Sequence, residues 1–204
     1  MQSRWLKTWQ RIGIGAPEGA FTELSARYSE SHRKYHTLQH LAECFALYDS
    51  ITTVPKNEPA VELAIWFHDA VYNTSATDNE EASALLARRT LVDAGLPLPT
   101  NDLVFQLILA TRHLASDCST VEEMVLLDVD LSILGASPCR FAEFESQIRT
   151  EYHWVPENQF REGRAAILKR FLARPSIYQL PQVRDELEQR ARQNLMSAIA
   201  LLER

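Results

Sequence analysis

An all-α fold is predicted, in a single domain of about nine or ten helices. Apolar residues recur at helical spacing through most of the 204 residues. Proline, glycine and capping residues cut that pattern into lengths typical of globular helices. No segment alternates strongly between apolar and polar residues as a half-buried strand does, and neither an internal repeat nor a low-complexity tract interrupts the chain.

Taken in order, Trp5 to Ile12 and Phe21 to Tyr28 predict two short helices, with Pro17 placed for the first turn of the second. Leu38 to Ile51 carries an apolar stripe of Leu38, Leu41, Phe45 and either Leu47 or Tyr48. Asn57-Glu58-Pro59 punctuates the chain before a strongly apolar run from Ala60 to Tyr72. Residues 73–79 read as a polar loop, and Thr77 or Asp78 caps a helix from about Glu80 to Ala94 that stops at Gly95. Thr100 or Asn101 caps the next, which reaches His113. Ser119 or Thr120, with Glu122 or Glu123 three residues later, predicts a capping box opening a helix to about Leu134. Pro138 to Tyr152, Pro156 to Leu172 and Val183 to Leu202 complete the set, the last with Leu187, Ala191, Leu195, Ala198, Ile199 and Leu202 on one side. Pro97, Pro99, Pro175 and Pro181 mark turns rather than domain linkers, so residues 1–204 form one unit.

Hydrophobic residues make up 46% of the chain and charged residues 24%, the balance of a globular protein with a substantial core. A formal net charge of -6 argues against a nucleic-acid surface, which is normally basic, but leaves room for a small anionic substrate held by local cations and a metal. Cys44, Cys118 and Cys139 form neither a CxxC pair nor a disulfide framework, which points to a reducing cytoplasm. Arg4, Lys7 and Arg11 are not followed by the apolar stretch of a signal peptide, and no segment has the length of a membrane span. Oligomeric state is not readable at this level.

Three places break the apolar pattern with titratable residues. His68-Asp69 sits near the end of the Ala60 to Tyr72 run. An ionised carboxylate in apolar packing costs on the order of several kcal/mol unless compensated, and a metal ion is the simplest compensation. Asp128 and Asp130 interrupt the run from Met124 to Leu134; two residues apart on a helix, they point in different directions, so one is a ligand and the other a supporting or capping group. His113 ends the apolar run from Leu103. Upstream, His36 and His40 are four apart, the spacing that shares a helix face. Arg33, Lys34, Arg112 and Arg164 are available to grip a phosphate.

The ordered set His40, His68-Asp69 and Asp130 resembles the HD superfamily of metal-dependent phosphohydrolases, all-α proteins that hold a divalent metal between helices. Tyr35-His36-Thr37-Leu38-Gln39-His40 resembles the segment of cyclic-nucleotide phosphodiesterases in which the first histidine is the general acid and the second binds metal; Thr37 stands where that segment has asparagine. Phe67-His68-Asp69-Ala70-Val71-Tyr72, Asp78 to Ala84, Leu127 to Gly135, Arg149 to Tyr152, Gly163-Arg164 and Ala191 to Leu195 resemble a bacterial group described as predicted HD-type metal-dependent phosphohydrolases. The likeness spans most of the chain. It places the metal site within residues 30–135, the helices of 138–204 packing on it, and it favours Asp130 over Asp128, because aspartate–leucine ends the HD metal set.

The resemblance implies an HD-type helical bundle with His40, His68, Asp69 and Asp130 as ligands of Mn²⁺, Fe²⁺, Co²⁺ or Zn²⁺, Mg²⁺ being less suited to nitrogen ligands. It implies hydrolysis of a phosphoester, in a nucleotide or other small phosphorylated metabolite, by water activated at the metal. His36 is the candidate general acid, or alternatively a residue that orients His40. Asp69 counts among the catalytic as well as the ligating residues, and Glu80 or Glu81 positions water, Glu81 being counted as catalytic. Arg33, Lys34, Arg112, His113 and Arg164 form the substrate-binding set. Only His113 lies between His68-Asp69 and Asp130, so the two extra histidines of binuclear HD-GYP proteins are not both present. Two other readings use the same pocket: a non-catalytic nucleotide sensor and a di-iron HD-type oxygenase.

Overall fold

A computed structural model describes residues 1–113 and 118–204. Its described residues form ten α-helices, one 3-10 turn and no strand. The helices are α1 (Gln2–Ile12), α2 (Ala20–Arg27), α3 (Leu38–Ser50), α4 (Glu58–Phe67), α5 (Asn79–Asp93), α6 (Leu98–Ala110), α7 (Val121–Asp130), α8 (Pro138–Glu151), α9 (Glu157–Leu172) and α10 (Pro181–Leu202), with the 3-10 turn Leu131–Gly135 directly after α7. None of them is long and apolar enough to cross a membrane.

The sequence of α4 dictates its place. A helix apolar on every side must be buried on every side, and each residue from Ala60 to Phe67 is. It packs against α1, α3, α5, α6 and α7. Trp66 meets Trp5 at 5.5 Å, Phe45 at 5.0 Å and Phe21 at 6.0 Å between ring centroids, an aromatic cluster under the helix. Glu62, also on α4, is compensated in this setting: Arg4 pairs with it at 3.1 Å while Arg11 and the Thr8 hydroxyl donate to it. Asn57 caps α4 by accepting from the Ala60 N–H at 3.2 Å.

Several boundaries differ from the sequence reading. α4 ends at Phe67, so His68 to Tyr72 leave the helix. α6 starts at Leu98, not beyond a Thr100 or Asn101 cap, because Pro99 suits a first turn that has no use for its missing N–H; Asn101 is buried and donates to the Arg88 carbonyl at 3.2 Å. α6 stops at Ala110, before His113. Pro17 precedes α2, whose cap is Gly19 with φ 76°. Thr120 and Glu123 form the expected capping box on α7.

The last three helices close one side of the fold, α10 lying against α9 and the 3-10 turn. Asp128 anchors this closure by accepting the N–H groups of Gln179 (2.7 Å) and Leu180 (2.8 Å), just ahead of α10, and burial pushes its carboxyl up to about 6. Asn194 donates to the Leu134 and Ala136 carbonyls at 2.9 and 3.0 Å. Gly135 permits the close approach: a Cβ there would stand 2.7 Å from Leu187 Cβ and 2.8 Å from the Tyr178 hydroxyl. Gly135→Ala is expected to lower stability by about 2 kcal/mol, the usual cost of overpacking, read as a lower urea midpoint at unchanged slope.

Candidate metal centre

His40 is presented by the first turn of α3, capped by Thr37; His68 is the C-cap of α4; Asp69 follows it; and Asp130 ends α7. Stretches of chain far apart in sequence thus bring these four side chains together, with one ligand atom of each lying within 4.8 Å of the others. His40 Nε2 is 3.0 Å from His68 Nε2, 3.5 Å from Asp69 Oδ2 and 3.4 Å from Asp130 Oδ1. His68 Nε2 is 3.1 Å from Asp69 Oδ2 and 3.5 Å from Asp130 Oδ1. Ligands bound at about 2.0–2.2 Å around one ion stand roughly 3.0–3.5 Å apart, so the donor set fits a single divalent cation.

The supporting contacts point the right nitrogens inward. The His68 Nδ1–H donates to the Ile65 carbonyl at 2.9 Å, which leaves Nε2 as the lone-pair nitrogen. His40 Nδ1 faces the Tyr35 hydroxyl at 2.9 Å and Nε2 turns to the centre. Cys44, fully buried, packs its Sγ at 3.7 Å from both His40 nitrogens.

Charge balance supports the same reading. Burial pushes the His40 and His68 imidazoles down, but Cys44, Tyr35 and the facing carboxylates at His40, and Asp69 and Asp130 at His68, outweigh it and hold both well above the usual range. Burial pushes Asp69 and Asp130 up. The surrounding histidines, His68 and His36 foremost for Asp69 and His113 foremost for Asp130, hold both carboxyls well below the usual range. Two nitrogen and two carboxylate donors of this kind offer a divalent cation a set whose two negative charges match its own two positive ones.

A cavity of about 510 Å³ opens from Asp69, Asp130, His36 and His113 and runs between α8 and α9. His36 precedes α3 and does not share its face with His40, contrary to the helical-pair reading. Its Nδ1 is 2.8 Å from Glu151 Oε2, and its ring stacks on Tyr72 at 4.0 Å. Glu151, with no exposed side-chain surface, also accepts the N–H groups of Lys34 (2.6 Å), Tyr35 (2.8 Å) and His36 (3.1 Å) and the Tyr72 hydroxyl (2.8 Å). Burial pushes its carboxyl up, but the His36 contact and these N–H groups bring it down to about 2.

Of the residues read as phosphate or water contacts, Arg112, His113 and Arg164 line the cavity. Arg112 pairs with Glu81 at 2.9 Å and Arg164 with Glu145 at 2.5 Å. His113, held at φ 52° with its carbonyl accepting from Arg174 at 2.7 Å, puts Nε2 2.8 Å from Asp130 Oδ2. Glu81 is turned to Arg112, and Glu80 is the acid that lines the cavity.

Arg33 and Lys34, expected in the substrate-binding set, do not line the cavity. Arg33 is buried and donates to the carbonyls of Asp69 (2.6 Å), Ala70 (3.1 Å) and His36 (3.3 Å), so it pins the metal-site loops instead of meeting substrate. Lys34 donates to the Ser31 carbonyl at 2.8 Å and is not among the cavity's lining residues.

Glu151, Tyr72 and Arg170 were not singled out from sequence. Glu151 had a signal: it continues the Phe141, Phe144, Ile148 buried stripe of α8 and sits at the C-terminal end of the helix, where the dipole disfavours a carboxylate. Arg170 lines the cavity and pairs with no carboxylate among the described residues.

Fold and site together define an all-α protein whose buried group of two histidines and two aspartates is able to hold a metal ion. Comparison with models of known protein families, with curated proteins and with solved structures finds no match.

Proposed function

We propose that the chain is a metal-dependent phosphohydrolase of HD type, acting on a small phosphoester such as a nucleotide. The observation that carries this reading is the mutual spacing of His40, His68, Asp69 and Asp130, beside a cavity large enough for a metabolite. A divalent cation held there lowers the pKa of bound water and neutralises charge on a phosphoryl oxygen. Mn²⁺, Fe²⁺, Co²⁺ and Zn²⁺ suit the mixed nitrogen and oxygen donors best.

The chain's own residues supply the rest. His36, anchored through Nδ1 by Glu151, keeps Nε2 for delivering a proton to the leaving oxygen, and the carboxylate stabilises the imidazolium that does so. Glu80 and Arg170 both line the cavity; in this reading Glu80 orients water and Arg170 grips a phosphoryl oxygen. His113 holds Asp130 through its second oxygen, which fixes the direction of the first.

Protein purified without chelator is expected to carry a divalent ion by elemental analysis. It should release phosphate or alcohol from a panel of mono- and diesters with Mn²⁺ and lose that activity in EDTA. Absence of retained metal together with absence of turnover under every divalent ion overturns the proposal. Ligand-induced thermal stabilisation without turnover would instead mark a sensor.

A further inference from the structure

The cavity is not uniformly polar. Beyond the metal-site end one stretch of its wall is apolar: Phe160, Gly163, Ile167 and Phe171 from α9, faced by Phe144 and Ile148 from α8, with Gln159, Arg164 and Arg170 of α9 alongside. The four α9 positions are three, seven and eleven residues on from the first, which is one face of a helix. Such a face ordinarily packs against another element; here Phe160 and Phe171 are buried at its two ends, against Tyr152 and His113, while Gly163 and Ile167 between them are exposed, Ile167 by 40%.

Gly163 adds an independent observation. A glycine in a helix interior costs about 1 kcal/mol relative to alanine, and a Cβ built there meets nothing within 4 Å. No packing contact explains the absent side chain. The free space lies on the cavity wall, where a bound group can approach the helix backbone closely.

We infer that the organic part of the substrate is an apolar, ring-bearing group that lies along this face of α9, against Gly163 and between the phenylalanine rings. This rests on the reading of the metal centre as the holder of the phosphoryl group. An aromatic ring removes apolar surface from water and stacks on Phe144, Phe160 or Phe171.

The test uses metal-loaded protein and two non-hydrolysable probes, 2-phenylethylphosphonate and methylphosphonate, with affinities measured by calorimetry. The phenylethyl compound is expected to bind at least about tenfold more tightly, the fold-change from burying one ring. Gly163→Leu, which fills the space along the wall, should bring that ratio close to one; Gly163→Ala should keep it. Metal content and far-UV circular dichroism report whether each variant retains its centre and its helices. Equal affinities in the unaltered protein, or binding of neither phosphonate, overturn the inference. So does a Gly163→Leu protein that retains both its metal and the full preference. Hydrolysis of 2-phenylethyl phosphate is followed separately. A binding preference without turnover removes the hydrolase and leaves this inference standing; turnover of methyl and phenylethyl esters with equal affinity does the reverse.

Discussion

Asp130→Ala is expected to abolish metal retention and to lower metal-dependent phosphoester hydrolysis by more than about 100-fold, the upper end of losses produced by changing residues that merely support a ligand. Asp130 Oδ1 is 3.4 Å from His40 Nε2 and 3.5 Å from His68 Nε2, so its loss opens one side of the donor set. The variant also removes the carboxylate that His113 holds at 2.8 Å and one of the charges that hold the two imidazoles above their usual range. The paired variant is Asp128→Asn. Asp128 is fully buried two residues away, but both of its oxygens accept backbone N–H groups ahead of α10. An amide offers one acceptor oxygen where two are used, so a buried N–H loses its partner at a cost of about 1–3 kcal/mol. Asp128→Asn should therefore unfold at lower denaturant yet retain its metal, whereas Asp130→Ala should lose the metal. Elemental analysis and urea titration of both proteins decide it. Retention of metal by Asp130→Ala with loss in Asp128→Asn would exchange the two roles.

Most helices were legible from the chain because their signals are local. The Thr120–Glu123 capping box and the stop at Gly95, with φ 79°, depend on a few neighbouring residues. The ends that misled were also local contests. Pro99 fitted a first turn better than Thr100 fitted a cap, and the run from Ala60 stayed apolar after the helix had ended at Phe67. At the site, His68-Asp69 and the pair Asp128 and Asp130 were visible as charges in apolar surroundings, which are costly without a partner; periodicity did not choose between the two aspartates, and only the resemblance favoured Asp130. The role of Arg33 was not visible. A sequence shows that a guanidinium is present, but only the fold reveals that the carbonyls of His36, Asp69 and Ala70 converge on it. Glu151 is separated by 115 residues from His36, and nothing in the spacing of either predicts the contact. Periodicity alone marks Glu151 as buried; its partner comes from the way α8 passes the loop ahead of α3.

That contact carries the second large effect. Glu151→Gln is expected to lower hydrolysis of alkyl phosphoesters by about 100-fold, within the range for loss of a positioned general acid, while hydrolysis of p-nitrophenyl esters changes little. An alkoxide leaves poorly without a proton, and p-nitrophenolate leaves without help, so the difference isolates proton delivery from metal binding or folding. The cause is in the hydrogen bonds. Glu151 Oε1 accepts three backbone N–H groups, and Oε2 faces His36 Nδ1 and the Tyr72 hydroxyl. In glutamine one of those atoms becomes a donor. If the oxygen remains with the backbone, the NH₂ meets His36 Nδ1, which then has to accept, and the carboxylate that stabilised the imidazolium is gone. His36→Ala should show the same dependence on leaving group, and the double variant should lose little more than either single one, as groups acting in one step do. Additive losses would mean that Glu151 does not work through His36. Stability supplies a separate readout on metal-free protein. A carboxyl held at about 2 in the fold, against 4.5 for an ordinary glutamate, contributes stability that is present above about pH 4.5 and is lost as the pH falls through about 2. The stability gap between the unaltered protein and Glu151→Gln should therefore be widest near neutrality and shrink as the pH drops from 4.5 towards 2, measured by urea unfolding across that range. A gap that grew on acidification would show that the carboxylate is not held down by the loop it clasps.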